Sequence, residues 1–271
     1  KNNEELRFKT RLRVTSFFSF LYNIFPSSRL IKTFEICLSD KSINHKFLYD
    51  FLQQIVKKNK IKKILEIGIG GHNDTFSGGH SLVALKYFFK NAKIIGLDII
   101  NKDFLDSRRI KTLICSQDDI TYQRKIGKKH GPFDIVIDDG SHFVHHQKKS
   151  FSVFFDHLNP GGIYIIEDVG GSYIKAFGGD PDLNQKNLIS FFSKKIHSVN
   201  MEYMTKKNKK KLAGYSMIEK IFFMKNSIFI IKKNILEKKF KPESNAYETL
   251  SQKNKRLNQT KTSAGYYNKK T

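Results

Sequence analysis

Two apolar, β-branched runs in the middle of the chain each end abruptly in acid. FDIVIDDGSH (residues 133–142) closes on Asp138 and Asp139, with His142 three residues beyond. GGIYIIEDVGGSY (residues 161–173) closes on Glu167 and Asp168. If the two runs are neighbouring parallel strands, roughly 4.8 Å apart, their carboxylates meet just past one edge of the sheet. Carboxylates gathered without a cation in a partly dry cleft would repel one another by several kcal/mol. Hard oxygen donors favour Mg²⁺ over zinc, and no cysteine or histidine cluster competes. His142 is placed to take a proton from a hydroxyl held there. Asp138 is read equally as a helix cap or loop holder. His145 and His146 fall on the following helix and read as surface or packing residues, while His72 and His80 sit ambiguously in a glycine-rich loop.

A second group lies upstream. Glu66-Ile-Gly68-Ile-Gly70-Gly71 follows a short buried strand. Glycines at a strand-to-helix turn let the backbone approach a ligand. An ordinary tight turn would look similar, but the next strand ends in Asp98, where a carboxylate can hold two ribose hydroxyls. A third strand ends in Gln117 and Asp118, where an adenine edge would lie. All three ends share one rim. The 72–79 loop has no basic residue to meet a pyrophosphate. S-adenosylmethionine, which carries no phosphate, therefore fits better than NAD, and Glu66, Gly68, Gly70, Asp98, Gln117 and Asp118 are its expected contacts.

These residues need a parallel sheet to bring them together. Strands are expected at 63–68, 92–98, 112–115, 133–137 and 163–166. Helices are expected at 81–89, 122–129 and 144–158, with a turn at Asn159-Pro-Gly-Gly. Strands alternating with helices argue a doubly wound α/β sheet. Residues 217–224 and 228–232 are separated only by Lys225-Asn226-Ser227 and read as a hairpin, so the sheet closes with an antiparallel pair. The fold expected is a Rossmann-like class I methyltransferase sheet and not a dehydrogenase. Its domain should occupy 60–236, after a helical, basic extension (1–59) and before a Lys- and Asn-rich tail (237–271) of disordered composition. In the extension, Phe47, Leu48, Phe51, Leu52 and Ile55 recur at helical spacing and are expected to cover one face of the sheet. The apolar run 14–25 is too short to span a bilayer. It is expected to pack on the domain or lie on a membrane surface, and Lys1 suggests that the natural start is missing.

The chain has 271 residues, a formal net charge of +24 and only two cysteines. Two cysteines cannot build a disulfide framework, which points to a reducing, cytoplasmic compartment. The charge would suit a negatively charged partner. AT-rich coding explains it better, since Lys, Asn, Ile and Phe are all abundant and the lysines concentrate at the chain ends.

LEIGIGG, SGGHSL, GLDI, SQDD, GPFDIVIDDGSH, LNPGGIYIIEDVGGSY and FFMKNSIFIIKK resemble the metal-dependent sugar O-methyltransferases of macrolide antibiotic pathways, across about residues 60–235. The resemblance implies that Asp139, Glu167 and Asp168 bind Mg²⁺, that His142 is the general base, and that S-adenosylmethionine donates the methyl group. Tyr173 and Phe177, in the 170–181 segment, are expected in a lid over the acceptor, or in a long surface loop. The composition suggests a low-GC bacterium, hence a capsule or lipopolysaccharide sugar as acceptor. Rival acceptors are a catechol-like small molecule and a nucleic acid. The chain shows no Asn/Asp-Pro-Pro-Tyr-like amino-methylating motif and no RNA-binding module, so no nucleic-acid partner is expected. Peripheral attachment at the inner membrane face and a homo-oligomer are left open.

Overall fold

The computed structural model describes residues 28–71, 74–182 and 187–234. The chain divides into two units, Lys1–Asn234 and Ile235–Thr271. The apolar run at 14–25, His72 and the tail 237–271 lie outside the described residues.

The described chain opens with α1 (Leu30–Ile36), α2 (Lys41–Asn44) and α3 (Lys46–Ile55). The alternating part follows: β1 (Lys63–Ile67), α4 (His80–Phe88), β2 (Lys93–Asp98), β3 (Ile110–Ile114), α5 (Ile120–His130), β4 (Phe133–Asp138), α6 (Val144–Phe154) and β5 (Leu158–Glu167). Then come α7 (Leu188–Lys195), α8 (Lys206–Leu212) and the hairpin β6 (Ile218–Met224) and β7 (Ser227–Lys232). One seven-stranded sheet runs in the order β3-β2-β1-β4-β5-β7-β6. Strands β1 to β5 pair in parallel, and β7 inserts antiparallel between β5 and β6. The expected doubly wound sheet with a closing hairpin is therefore present.

The apolar runs are continuous because both sheet faces are covered. Ile64, Ile135, Ile137 and Ile165 pack under α1, α3 and α4 with Leu30, Phe34, Leu52, Leu82 and Leu85. Leu65, Val136, Tyr164 and Ile166 pack on the other face with Ile126, Phe151, Phe154 and Phe192. The α3 stripe is rotated from the expected one. Leu48, Tyr49 and Leu52 are buried, while Phe47 and Ile55 are 77% and 41% exposed. Tyr49 takes the inner place because its ring packs edge-on against Phe34 (4.8 Å) and its hydroxyl finds a buried acceptor.

Several boundaries differ from the sequence expectation, most by one or two residues. Strand β3 starts two residues earlier, at Ile110, and α6 ends at Phe154. The Asn159-Pro-Gly-Gly turn is absorbed into β5. Gly161 takes a left-handed φ of 75°, and the β4–β5 register shifts between Phe133 and Ile135. A bulge thus uses the same glycine chemistry that a turn would. Among the described residues, no helix is long and apolar enough to cross a membrane.

Candidate active site

The strand order reverses between β1 and β4, and at such a switch point a crevice opens past the carboxyl ends of the strands. A cavity of roughly 930 Å³ lies there, walled by Gly68, Gly70, Asp98, Gln117, Asp139, His142 and Asp168, among others. The strands position these side chains directly, since Ile67 pairs with Asp138, and Asp138 with Ile166.

Backbone dominates one end of the cavity. Gly68, Gly70 and Gly71 all have left-handed φ, between 77° and 86°. A Cβ on Gly68 would collide with the main-chain carbonyl of Asp139. Glycine is therefore required where β1 passes closest to β4. Asp98 accepts hydrogen bonds from Ile69 N (2.9 Å, Oδ2) and Ile100 N (2.9 Å, Oδ1), which fix its carboxylate at the rim. Gln117 donates to Asp138 Oδ1 at 2.8 Å and accepts from Ser141 N at 2.7 Å. Its amide is thus committed to tying β3 to the IDDGSH loop. Two expected cofactor residues are not brought to the cavity wall. Asp118 faces solvent in an ion pair with Lys149, whose hydrogen bond and charge hold its carboxyl below the usual range. Glu66 is fully buried beneath the wall, and burial pushes its carboxyl up to about 7 against the pull of Lys41.

The other end is built from charged side chains. Asp139, His142 and Asp168 each offer a ligand atom, all within 4.8 Å of one another. His142 Nε2 lies 3.8 Å from Asp168 Oδ2. Burial lowers the His142 pKa, against the charges of Asp168 and Glu167, which favours the neutral ring. His142 and Asp168 also share left-handed backbone, with φ of 59° and 51°. Asp and His tolerate that region better than most side chains, and holding it costs roughly 1–3 kcal/mol each. The Asp168 loop is secured from the hairpin. Asn226 donates to Asp168 Oδ1 through its amide nitrogen and accepts from Gly170 N at 2.9 Å.

Glu167 sits one layer deeper and is fully buried. Its Oε2 is 2.7 Å from Lys41 Nζ and 3.2 Å from His45 Nε2, and its Oε1 accepts from the Tyr49 hydroxyl. Lys41 Nζ also reaches Asp139 Oδ2 at 2.6 Å and Glu66 Oε1 at 3.4 Å. Burial alone would lower the Lys41 pKa, but Asp139, Glu167, Tyr49 and Glu66 together hold it well above the ordinary lysine value. Asp138 is buried behind the loop, bonded by Gln117 and by Tyr164 (3.1 Å), and burial pushes its carboxyl up to about 7.

Tyr173 and Phe177 lie in two short 3₁₀ turns, Val169–Tyr173 and Lys175–Phe177. Neither lines the cavity. Tyr173 is exposed, and Phe177 packs 5.5 Å from Phe143, which does line it. Sequence reasoning missed Lys41, His45, Tyr49 and Asn226. The first three carry one usable signal, a polar residue every four positions in a segment otherwise read as helical cover.

No protein-family model matches the chain. It is 45% identical over 125 residues to the mycinamicin VI 2''-O-methyltransferase of Micromonospora griseorubida, covering 46% of this chain and 31% of that protein. It is 32% identical over 197 residues to the 8-demethyl-8-alpha-L-rhamnosyl tetracenomycin-C 2'-O-methyltransferase of Streptomyces olivaceus, covering 72% and 52%. The fold superposes with a TM-score of 0.68, at 29% identity, on the MycE methyltransferase of the mycinamycin biosynthetic pathway in complex with Mg, SAH and mycinamycin VI. That match covers 79% of this chain and 57% of MycE. The chain is related to these sugar O-methyltransferases. Its sheet is the class I methyltransferase fold, and the chain spans about a third to a half of the length of the curated relatives it matches.

Proposed function

We propose that the chain transfers a methyl group from S-adenosylmethionine to a sugar hydroxyl, at a site that takes Mg²⁺. One observation carries this reading. A glycine-walled crevice at the switch point and the Asp139–His142–Asp168 group face the same cavity. The metal and the donor class agree with the Mg and SAH that the similar MycE complex contains, and the sugar acceptor agrees with the names of the similar curated enzymes.

The donor chemistry fits a hard divalent cation. Asp139 and Asp168 present carboxylates at the cavity, 25% and 39% exposed. Glu167 brings further negative charge close behind them, and would have to turn from its present partners to bind a cation directly. Bound there, Mg²⁺ would lower the pKa of an acceptor hydroxyl. The remaining roles belong to the chain. Gly68 and Gly70 would admit the cofactor close to the backbone, and Asp98, anchored by two backbone amides, would hold its ribose hydroxyls. His142, kept neutral by its surroundings, accepts the hydroxyl proton. With donor and acceptor bound, the fixed rim would hold the acceptor oxygen in line with the methyl group, and the sulfonium would leave as an uncharged thioether.

The test is transfer of labelled methyl groups to a panel of sugars. The panel should hold deoxysugar glycosides, as the relatives suggest, and surface-polysaccharide sugars, as the composition suggests. A methylated hydroxyl on at least one of them supports the reading. Methylation of catechols or RNA, with none of sugars, would replace it.

A further inference from the structure

Glu167 ends β5 with its carboxylate fully buried, and its partners come from 126, 122 and 118 residues away in sequence, at Lys41, His45 and Tyr49. Between them these three side chains touch four carboxylates, those of Glu66, Asp139, Glu167 and Asp168. Lys41 reaches Glu167, Asp139 and Glu66, His45 reaches Glu167 and, at 3.5 Å, Asp168, and Tyr49 reaches Glu167. Their spacing of four survives a break in the helix at His45, whose φ of −124° separates α2 from α3. The four-residue α2 is too short to be held by its own hydrogen bonds. The contacts therefore fasten it to the sheet as firmly as they fasten the carboxylates. Burying an ammonium and two carboxylates is worthwhile only where the geometry is fixed and each group is paired.

We propose that Lys41, His45 and Tyr49 are positioning residues that brace Glu167 and Asp139, so that Glu167 is fixed behind Asp139 and Asp168 and those two present one arrangement of oxygens to a cation. The inference rests on the reading that this edge takes Mg²⁺. Partners that orient ligands from behind are a general requirement of metal sites. A brace and a mere counter-charge make opposite predictions. Deleting a counter-charge leaves a more negative cluster, which would bind a divalent cation more tightly. Deleting a brace lets the carboxylates reorient and weakens binding.

The experiment compares the full wild-type chain with Tyr49→Phe and Lys41→Met by calorimetric titration of Mg²⁺ and, separately, of SAH. Tyr49→Phe keeps the ring packed against Phe34 and removes only the hydroxyl, so it isolates the brace even if Lys41→Met folds poorly. The brace predicts Mg²⁺ affinity weakened about 10-fold or more in Tyr49→Phe, with SAH affinity unchanged. Mg²⁺ affinity unchanged or tightened in Tyr49→Phe would overturn it. So would loss of SAH affinity in step with Mg²⁺, which would indicate general loosening. A wild-type chain that binds SAH but no Mg²⁺ would remove the metal reading itself, and the inference with it.

Discussion

The two ends of the cavity are made of different material. The proposed cofactor end is backbone: left-handed glycines, main-chain amides and one rim carboxylate, Asp98, that those amides hold. The proposed acceptor end is side chain: carboxylates, the His45 imidazole and an ammonium within hydrogen-bond distance of one another, with His142 3.8 Å from Asp168. Backbone needs no counter-ion and is placed by its own strand and turn. Buried side-chain charge needs partners, and they come from far along the chain, from α2, α3 and the hairpin. The cofactor end is thus a local device and the acceptor end a tertiary one.

Substitutions can set the two ends apart. The largest separation should come from His142→Ala, which should lower turnover by about 10²–10⁴-fold while SAH binds as before. An equal loss of SAH affinity would mean that the ends are one unit. Gly68→Ala should act on both, because its Cβ needs space that the Asp139 carbonyl fills and its φ of 86° disfavours any side chain. SAH affinity and Mg²⁺ affinity should fall together, and survival of either would show that the contact is not shared. Leu52→Ala, in the α3 face that supports Tyr49, should cost about 2–5 kcal/mol in denaturant unfolding. A cost under 1 kcal/mol would mean that α3 packs more loosely than its full burial indicates.

The smallest effect distinguishes the ends by thiol chemistry. Burial pushes the Cys37 thiol up to about 12 and the Cys115 thiol up to about 11. The reactive thiolate is the charged form, so burial suppresses it, and both should label slowly with iodoacetamide at pH 8. Labelling should quicken as pH rises toward those values, or at once on unfolding, where the pKa returns to about 8.5. Cys115 lines the cavity and Cys37 packs among the N-terminal helices. SAH should therefore slow the labelling of Cys115 further and leave Cys37 unchanged.

The same division explains what could be read from sequence. The glycine turn, the acids at the strand ends and the hairpin are signals carried within a few residues, and the sheet follows from them. Asp139, His142 and Asp168 come together because two runs of β-branched residues become adjacent strands. Glu66 and Asp118 were not separable that way. Each ends or follows a strand at the right rim, and only packing decides that one faces Lys41 beneath the wall and the other faces solvent. Lys41, His45 and Tyr49 look like an ordinary stretch of basic helix until Glu167 is seen opposite them. Asn226 looks like a hairpin residue, and its second role, holding Asp168, depends on β7 lying beside β5.

Metal-assisted methyl transfer at the acidic edge, beside a metal-independent cofactor crevice, can be measured as transfer from labelled S-adenosylmethionine to a glycoside acceptor, with Mg²⁺ and then with EDTA, while SAH binding is followed in parallel. Transfer should fall to background in chelator and return with added Mg²⁺, with SAH affinity constant throughout. Undiminished transfer in chelator would mean that the acidic edge does not use a metal.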